Sequence, residues 1–286
     1  MKFLVFLVVA YPLHFIIDRG NVDIYGAVAI AMVFGLAIRK SRFSDPQFAF
    51  LLAFIISLKP SFALFAIPLI LGVKLRWAIP AVCLVAFNYL VPYLFYGQPI
   101  DGIWKTIVAS QPYTDGAVLF CHSFQCAHTA MGIKWGTTVS LAILIVFLSA
   151  LLVIRFGMRK FERSEVFLML MTSTVLLTLM FNNQSWDYRL TFLLPVLFAR
   201  PVIFPSQHLS KISSKILTFS FVIALGYVNI LFPNSRAYPT IARFIAISCI
   251  LGLFVYVLKK KIDENQEANQ SDAIPQVGSS LLWRQK

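Results

Sequence analysis

Charge is scarce in this chain, and that scarcity excludes most of what a protein of this length can be. Of its 286 residues 13% are charged and 59% hydrophobic, and the mean hydropathy is +0.78. A soluble domain cannot bury that much apolar surface in one core. A glycine-rich nucleotide loop and an internal repeat are also missing, and no small-x-small cleavage site precedes Asp18, so residues 1 to 17 read as a retained first span rather than a secretory signal. The formal net charge of +13 does not point to nucleic acid, because the basic residues stand in short runs between apolar segments and not along one polar face. Cysteine is sparse too. Cys83 and Cys249 fall in apolar segments as packing residues, which leaves Cys121 and Cys126 in one polar loop as the only pair that bears on redox state.

What the chain does have is a succession of apolar segments, at about 3 to 17, 22 to 38, 77 to 96, 136 to 154, 166 to 181, 188 to 204, 216 to 232 and 238 to 258. Several are short for a hydrocarbon layer of about 30 Å, yet each can be a helix, which makes about eight transmembrane helices in an all-α polytopic integral membrane protein. A further apolar stretch, 47 to 72, has basic flanks on both sides, Arg39, Lys40 and Arg42 before it and Lys74 and Arg76 after. The positive-inside rule puts both flanks in the cytoplasm, which one crossing cannot do, so 47 to 72 is expected to be a re-entrant hairpin with its turn at Lys59-Pro60. With that assignment all but seven of the 25 Lys and Arg residues fall inside. Arg19, Lys59, Lys105, Lys134, Arg189, Arg236 and Arg243 are the exceptions. Residues 1 to 258 then form the membrane domain, with an extracytoplasmic loop at 97 to 135, and 259 to 286 form a solvated, disordered cytoplasmic tail.

Four features face the outer side: the cluster Asp18-Arg19-Gly20-Asn21-Val22-Asp23, the Lys59-Pro60 turn arriving from within, the 97 to 135 loop, and Asn182-Asn183-Gln184-Ser185-Trp186-Asp187-Tyr188-Arg189. Ionisable residues in or beside a membrane mark a functional site by default. Carboxylates, cations and aromatics gathered at one face suit a lipid-linked phosphate and a sugar, since cations pair with phosphate and a carboxylate can take a hydroxyl proton.

Arg-Gly-Asn-Val-Asp opening a span, Leu58-Lys59-Pro60 within a short hairpin, and Asp187-Tyr188-Arg189-Leu190-Thr191-Phe192-Leu193-Leu194-Pro195 together resemble the bacterial membrane glycosyltransferases of the C-type superfamily. The particular resemblance is to the family that includes polyprenyl-phosphomannose-dependent mannosyltransferases, and it covers most of residues 15 to 200. It rests on the order and spacing of the motifs rather than on any one of them. It implies a glycosyltransferase C-like fold in the bacterial cytoplasmic membrane and a hexosyltransferase moving a hexose, with mannose suggested, from a polyprenyl-phosphate sugar to an extracytoplasmic glycan or glycolipid acceptor. No cofactor and no metal is implied. By the same resemblance Arg19, Asn21 and Asp23 line the pocket, Lys59 approaches the donor phosphate, and Asp187, Tyr188 and Arg189 close the opposite wall; from their own chemistry His122 is a candidate donor-phosphate contact or acid-base group, Gln184 a hydrogen-bond partner for sugar hydroxyls, and Asp18 or Asp23 the candidate base where one of them substitutes for the superfamily's own catalytic carboxylate. The superfamily places its catalytic carboxylate in a first extracytoplasmic loop upstream of the matched segment, so the expectation is a member that lacks its N-terminal part.

Plainer readings stand beside these. Asp18, Asn21, Asp23 and Asp187 all precede spans, where side-chain oxygens cap free backbone N–H groups. Lys59 can snorkel outward, and Cys121 with Cys126 is read as a disulfide before His122 and His128 are added to make a metal site, because Cys-x4-Cys departs from common zinc spacings. The rival from another class is a lipid-linked glycan flippase or transporter, since re-entrant hairpins also build substrate pathways. A third is a non-catalytic remnant that binds lipid-linked sugar.

Overall fold

The computed structural model describes residues 23–39, 44–58, 60–96, 126, 145, 152, 161–181, 187–226, 235 and 237–273, with 60, 61, 92–96, 181, 187, 188, 266 and 268–273 described by backbone alone. Every regular element among them is helical, as the apolar pattern leads one to expect. Helix α1 spans Asp23–Ile38 and α2 spans Asp45–Leu58; a 3-10 turn, Pro60–Phe65, leads into the short α3, Ala66–Gly72, and then α4, Leu75–Tyr96. Helix α5 covers Arg163–Phe181, and a second 3-10 turn, Asp187–Phe192, opens into α6, Leu193–Phe198, and α7, Arg200–Ile203. A last pair, α8 at Lys211–Leu225 and α9 at Ala237–Ala273, completes the described elements.

The segment 45–72 folds back on itself. The guanidinium of Arg163, at the start of α5, makes a two-pronged contact with the Asp45 carboxylate (Nη1 to Oδ2 2.7 Å) and also donates to the carbonyl of Gly72 at 3.3 Å. Asp45 begins α2 and Gly72 ends α3, so both feet of the hairpin stand at one end of the bundle. Its turn lies about 20 Å away, the length of a 14-residue helix. Proline explains the position of the turn. Pro60 disfavours helix in the residue before it and has no N–H to give the preceding turn, so α2 ends at Leu58 and the chain resumes as 3-10. The returning arm packs tightly on α5: a Cβ added at Gly72 would lie 2.6 Å from Phe167 Cδ2, and the Phe48 and Phe167 rings stand 4.3 Å apart.

Helix α5 is the central post, in contact with α1, α3, the first 3-10 turn and α9, and nearly all of its side chains are buried. Two of its hydroxyls are satisfied within the helix, Thr172 donating to Leu168 O at 2.9 Å and Ser173 to Met169 O at 2.8 Å. The outer helices invert the pattern of a water-soluble fold. Val82, Leu84, Phe87 and Leu90 on α4, Ile212, Ile216, Phe219 and Val222 on α8, and Tyr25, Val28 and Met32 on α1 are exposed. Two segments, Arg163–Met180 and Ala237–Asn265, are long and apolar enough to cross a membrane, while α1, α2 and α4 are shorter apolar helices.

Two boundaries differ from the sequence expectation. The span expected at 188 to 204 is broken into a 3-10 turn and two short helices, because Pro195, Pro201 and Pro205 each withdraw a backbone donor and a continuous ladder cannot form. The tail expected to be disordered from Lys259 instead continues α9 to Ala273. Lys259 and Asp263, and Lys260 and Glu264, are spaced one turn apart as favourable opposite-charge pairs on the helix surface. Helix α9 is also tied back to the 206–208 turn, where Lys260 donates to Gln207 O at 3.4 Å and Glu264 lies 3.2 Å from His208 Nδ1. The expected spans at 3 to 17 and 136 to 154 lie outside the described residues except for Ile145 and Leu152.

Arg163→Ala removes the tie between the two feet of the hairpin. Arg163 is 39% exposed, so water offsets part of the loss, and a destabilisation of about 1 to 2 kcal/mol is expected. It is read as a lowered thermal midpoint of the purified protein in detergent, with Arg163→Lys recovering only part because lysine cannot make the two-pronged contact. An unchanged midpoint for Arg163→Ala would mean that the hairpin closes without it.

Candidate functional site

At the end of the bundle opposite Arg163, three elements meet. Asp23 opens α1 and is fully buried, with Oδ2 3.4 Å from Nε of Arg189, itself 5% exposed, in the second 3-10 turn. The Arg189 guanidinium lies 5.7 Å from the centre of the Phe62 ring, which the hairpin turn supplies. That distance falls within the range in which an aromatic face attracts a cation. Phe62 is held edge-on between Phe192 (5.4 Å) and Phe65 (6.1 Å).

Local sequence explains each placement. Asp23 sits in the first turn of α1, where the helix dipole favours an anion. Gly26, one turn on and on the same face, admits the hairpin: a Cβ there would meet Phe62 Cε2 at 3.3 Å. Arg189 points into this contact because the 3-10 turn before α6 carries it across the start of α1. The outcome is a cation with its back on an aromatic face and its edge on a carboxylate, in surroundings where both charges are nearly without water. Breaking such a pair costs far more than an exposed one.

Of the residues singled out in the sequence, Asp23 and Arg189 are therefore brought together. Asp23, a candidate base, has no exposed surface in this arrangement, where its carboxylate is paired with Arg189. Asp187 and Tyr188 are described by backbone alone, as the first two residues of the same 3-10 turn. Asp18, Arg19, Asn21, Lys59, His122, Gln184 and Cys121 lie outside the described residues. Cys126 is in a disulfide, whereas Cys83 and Cys249 carry free thiols. Among the described residues no group of three or more His, Cys, Asp or Glu side chains could hold a metal ion.

No family model, curated protein or solved structure matches the chain. What it can do has to be argued from its own geometry.

Phe62 at the site, and Arg163 and Arg243 elsewhere in the bundle, carry little or no sequence signal. Phe62 is one of 27 phenylalanines, and nothing in its spacing marks it as the face beneath Arg189. Asp45, by contrast, precedes Pro46 as a helix-start signal, and the partner of its carboxylate, Arg163, is hidden among the basic residues of a loop. Arg243 on α9 is fully buried, which an apolar run with one arginine does not announce.

Asp23→Asn leaves the Arg189 charge buried without its carboxylate and should cost about 3 kcal/mol in unfolding free energy, with Arg189→Met costing a similar amount. The double replacement Asp23→Asn with Arg189→Met should recover much of the loss, because removing both charges spares the remaining desolvation. A strictly additive cycle in thermal or denaturant unfolding would refute the coupling.

Proposed function

We propose that the chain is a polytopic membrane glycosyltransferase of C-type architecture that transfers a hexose from a polyprenyl-phosphate donor to an extracytoplasmic acceptor. The observation that carries this reading is the meeting of Asp23, last residue of the Arg-Gly-Asn-Val-Asp motif, with Arg189 of the Asp-Tyr-Arg motif and with Phe62 in the turn that follows Lys59-Pro60. These are the motifs on which the family resemblance rests.

The membrane reading has its own support in the apolar outer faces of α1, α4 and α8. Charged contacts also sort by end. Asp45 with Arg163, Arg200 with Ser214, Lys260 with Gln207 and His208 with Glu264 join residues that charge bias assigns to the cytoplasm; Asp23 with Arg189 joins residues it assigns to the outside. In this orientation 45–72 enters from the cytoplasm, presents its turn to the outer site and returns, its backbone covered by α1 and α5 as non-helical backbone at membrane depth must be.

In the proposed reaction the acceptor hydroxyl oxygen attacks the anomeric carbon, the bond from that carbon to the phosphate oxygen breaks, and the lipid phosphate departs with the bonding pair. A carboxylate takes the hydroxyl proton, a role we assign to Asp18, with Asp23 holding Arg189 in place. Arg189, Lys59 and Arg19 stabilise the negative charge that gathers on the departing phosphate.

One observation favours the flippase or transporter reading. Thr174 and Thr178, one turn apart on α5, are buried with hydroxyls that meet no partner among the described residues, in the half of α5 nearer Phe181. A polar strip there suits a path through the bundle.

Transfer of radiolabelled mannose from its polyprenyl phosphate in proteoliposomes separates the two. Arg189→Ala and Lys59→Ala should each lower transfer about 100-fold with the protein still inserted, the scale of losing one preorganised charge at a reacting centre. Thr178→Val should leave transfer within about twofold, since that hydroxyl faces no reacting group. Accumulation of intact sugar lipid on the far leaflet, with no product bond formed, would transfer the assignment to the rival.

A further inference from the structure

Helices α8 and α9 run side by side, and between them lies an apolar cavity of about 500 Å³, the size of a small-ligand site. Ile216, Phe219 and Ile223 of α8 and Ala242, Ala246 and Cys249 of α9 line it. Lys215, also part of the lining, marks the end nearer the start of α8. Lys211 stands one turn earlier on the same helix face, and Arg200 is held beside that turn by the Ser214 hydroxyl at 3.1 Å.

No acidic residue occurs between Asp187 and Asp263, so neither α8 nor the cavity-lining part of α9 offers these cations a carboxylate. Asp263 lies 14 residues beyond Cys249, about 21 Å along the helix, and Glu264 faces His208. An open apolar cleft on the outer face of a helix pair, with uncompensated lysines at its one charged end, has the two halves of an amphiphile's chemistry. Basic pockets between helices at a cytoplasmic face bind anionic lipid headgroups, and buried methylene groups supply the rest of the affinity.

We propose that this cleft is a specific site for an anionic glycerophospholipid of the cytoplasmic leaflet, with one acyl chain along Ile216, Phe219 and Ile223 and its phosphate on Lys215 and Lys211. Its Lys215 end lies near the start of α8, and none of its lining residues belongs to the Asp23 and Arg189 contact. It rests on the membrane reading above and not on sugar transfer, so absence of transfer activity leaves it standing.

Cys249 reports occupancy directly, being a free thiol in the cleft wall, while Cys126 is in a disulfide. In the full chain carrying Cys83→Ser, purified in a neutral detergent, phosphatidylglycerol should slow N-ethylmaleimide alkylation of Cys249 at least fivefold. Phosphatidylcholine at the same concentration should slow it less than twofold, and glycerol 3-phosphate, a headgroup without a chain, should not slow it. Lys215→Gln should abolish the difference between the two lipids. Native mass spectrometry should show a phosphatidylglycerol adduct on the Cys83→Ser chain that is lost with Lys215→Gln, independently of the thiol. Equal protection by both lipids, protection that survives Lys215→Gln, or no protection by either would overturn the site.

Discussion

One guanidinium sets the geometry on which the rest depends. Arg163 grips Asp45 and Gly72 together, and because these residues begin and end the 45–72 segment, the segment has to go out and come back. Its turn is thereby delivered to the far end of the bundle, where Phe62 takes its place beneath Arg189. The tie is partly exposed at a basic end where solvent screens it, so its contribution to stability is modest.

The two charged ends of the bundle are built differently for the same reason. At the Arg163 end, water shares the work of solvating the ions. At the other end Asp23 and Arg189 are buried, so each must have the other, and the aromatic cluster of Phe62, Phe65 and Phe192 shields them. A pair of this sort positions well and tolerates little.

Much of this was legible in the sequence where the signal is chemical and local. The break at Lys59-Pro60 follows from proline sterics, and the folding-back of 47 to 72 was expected from its paired basic flanks. What the sequence did not reveal is non-local. That Asp23 would be the partner of Arg189 rather than a surface carboxylate depends on Gly26 and Phe62 packing together, and no spacing rule marks that contact. The three prolines of 195 to 205 were visible, yet the apolar run around them outweighed the loss of backbone donors they impose. The continuation of α9 past Lys259 was missed because low apolar content was read as disorder, although opposite charges one turn apart favour helix. Asp18, Arg19, Asn21, Lys59, His122 and Gln184 stay with the sequence reading.

The central claim is that residues 44 and 74 lie on one face of a membrane and residue 59 on the other. Single cysteines at Ser44, Lys59 and Lys74, in a chain without Cys83 and Cys249, can be labelled in sealed, oriented vesicles with a membrane-impermeant maleimide. The account predicts that Ser44→Cys and Lys74→Cys react only from the cytoplasmic side and Lys59→Cys only from the opposite side; Ser44→Cys and Lys74→Cys reacting from opposite sides would contradict it.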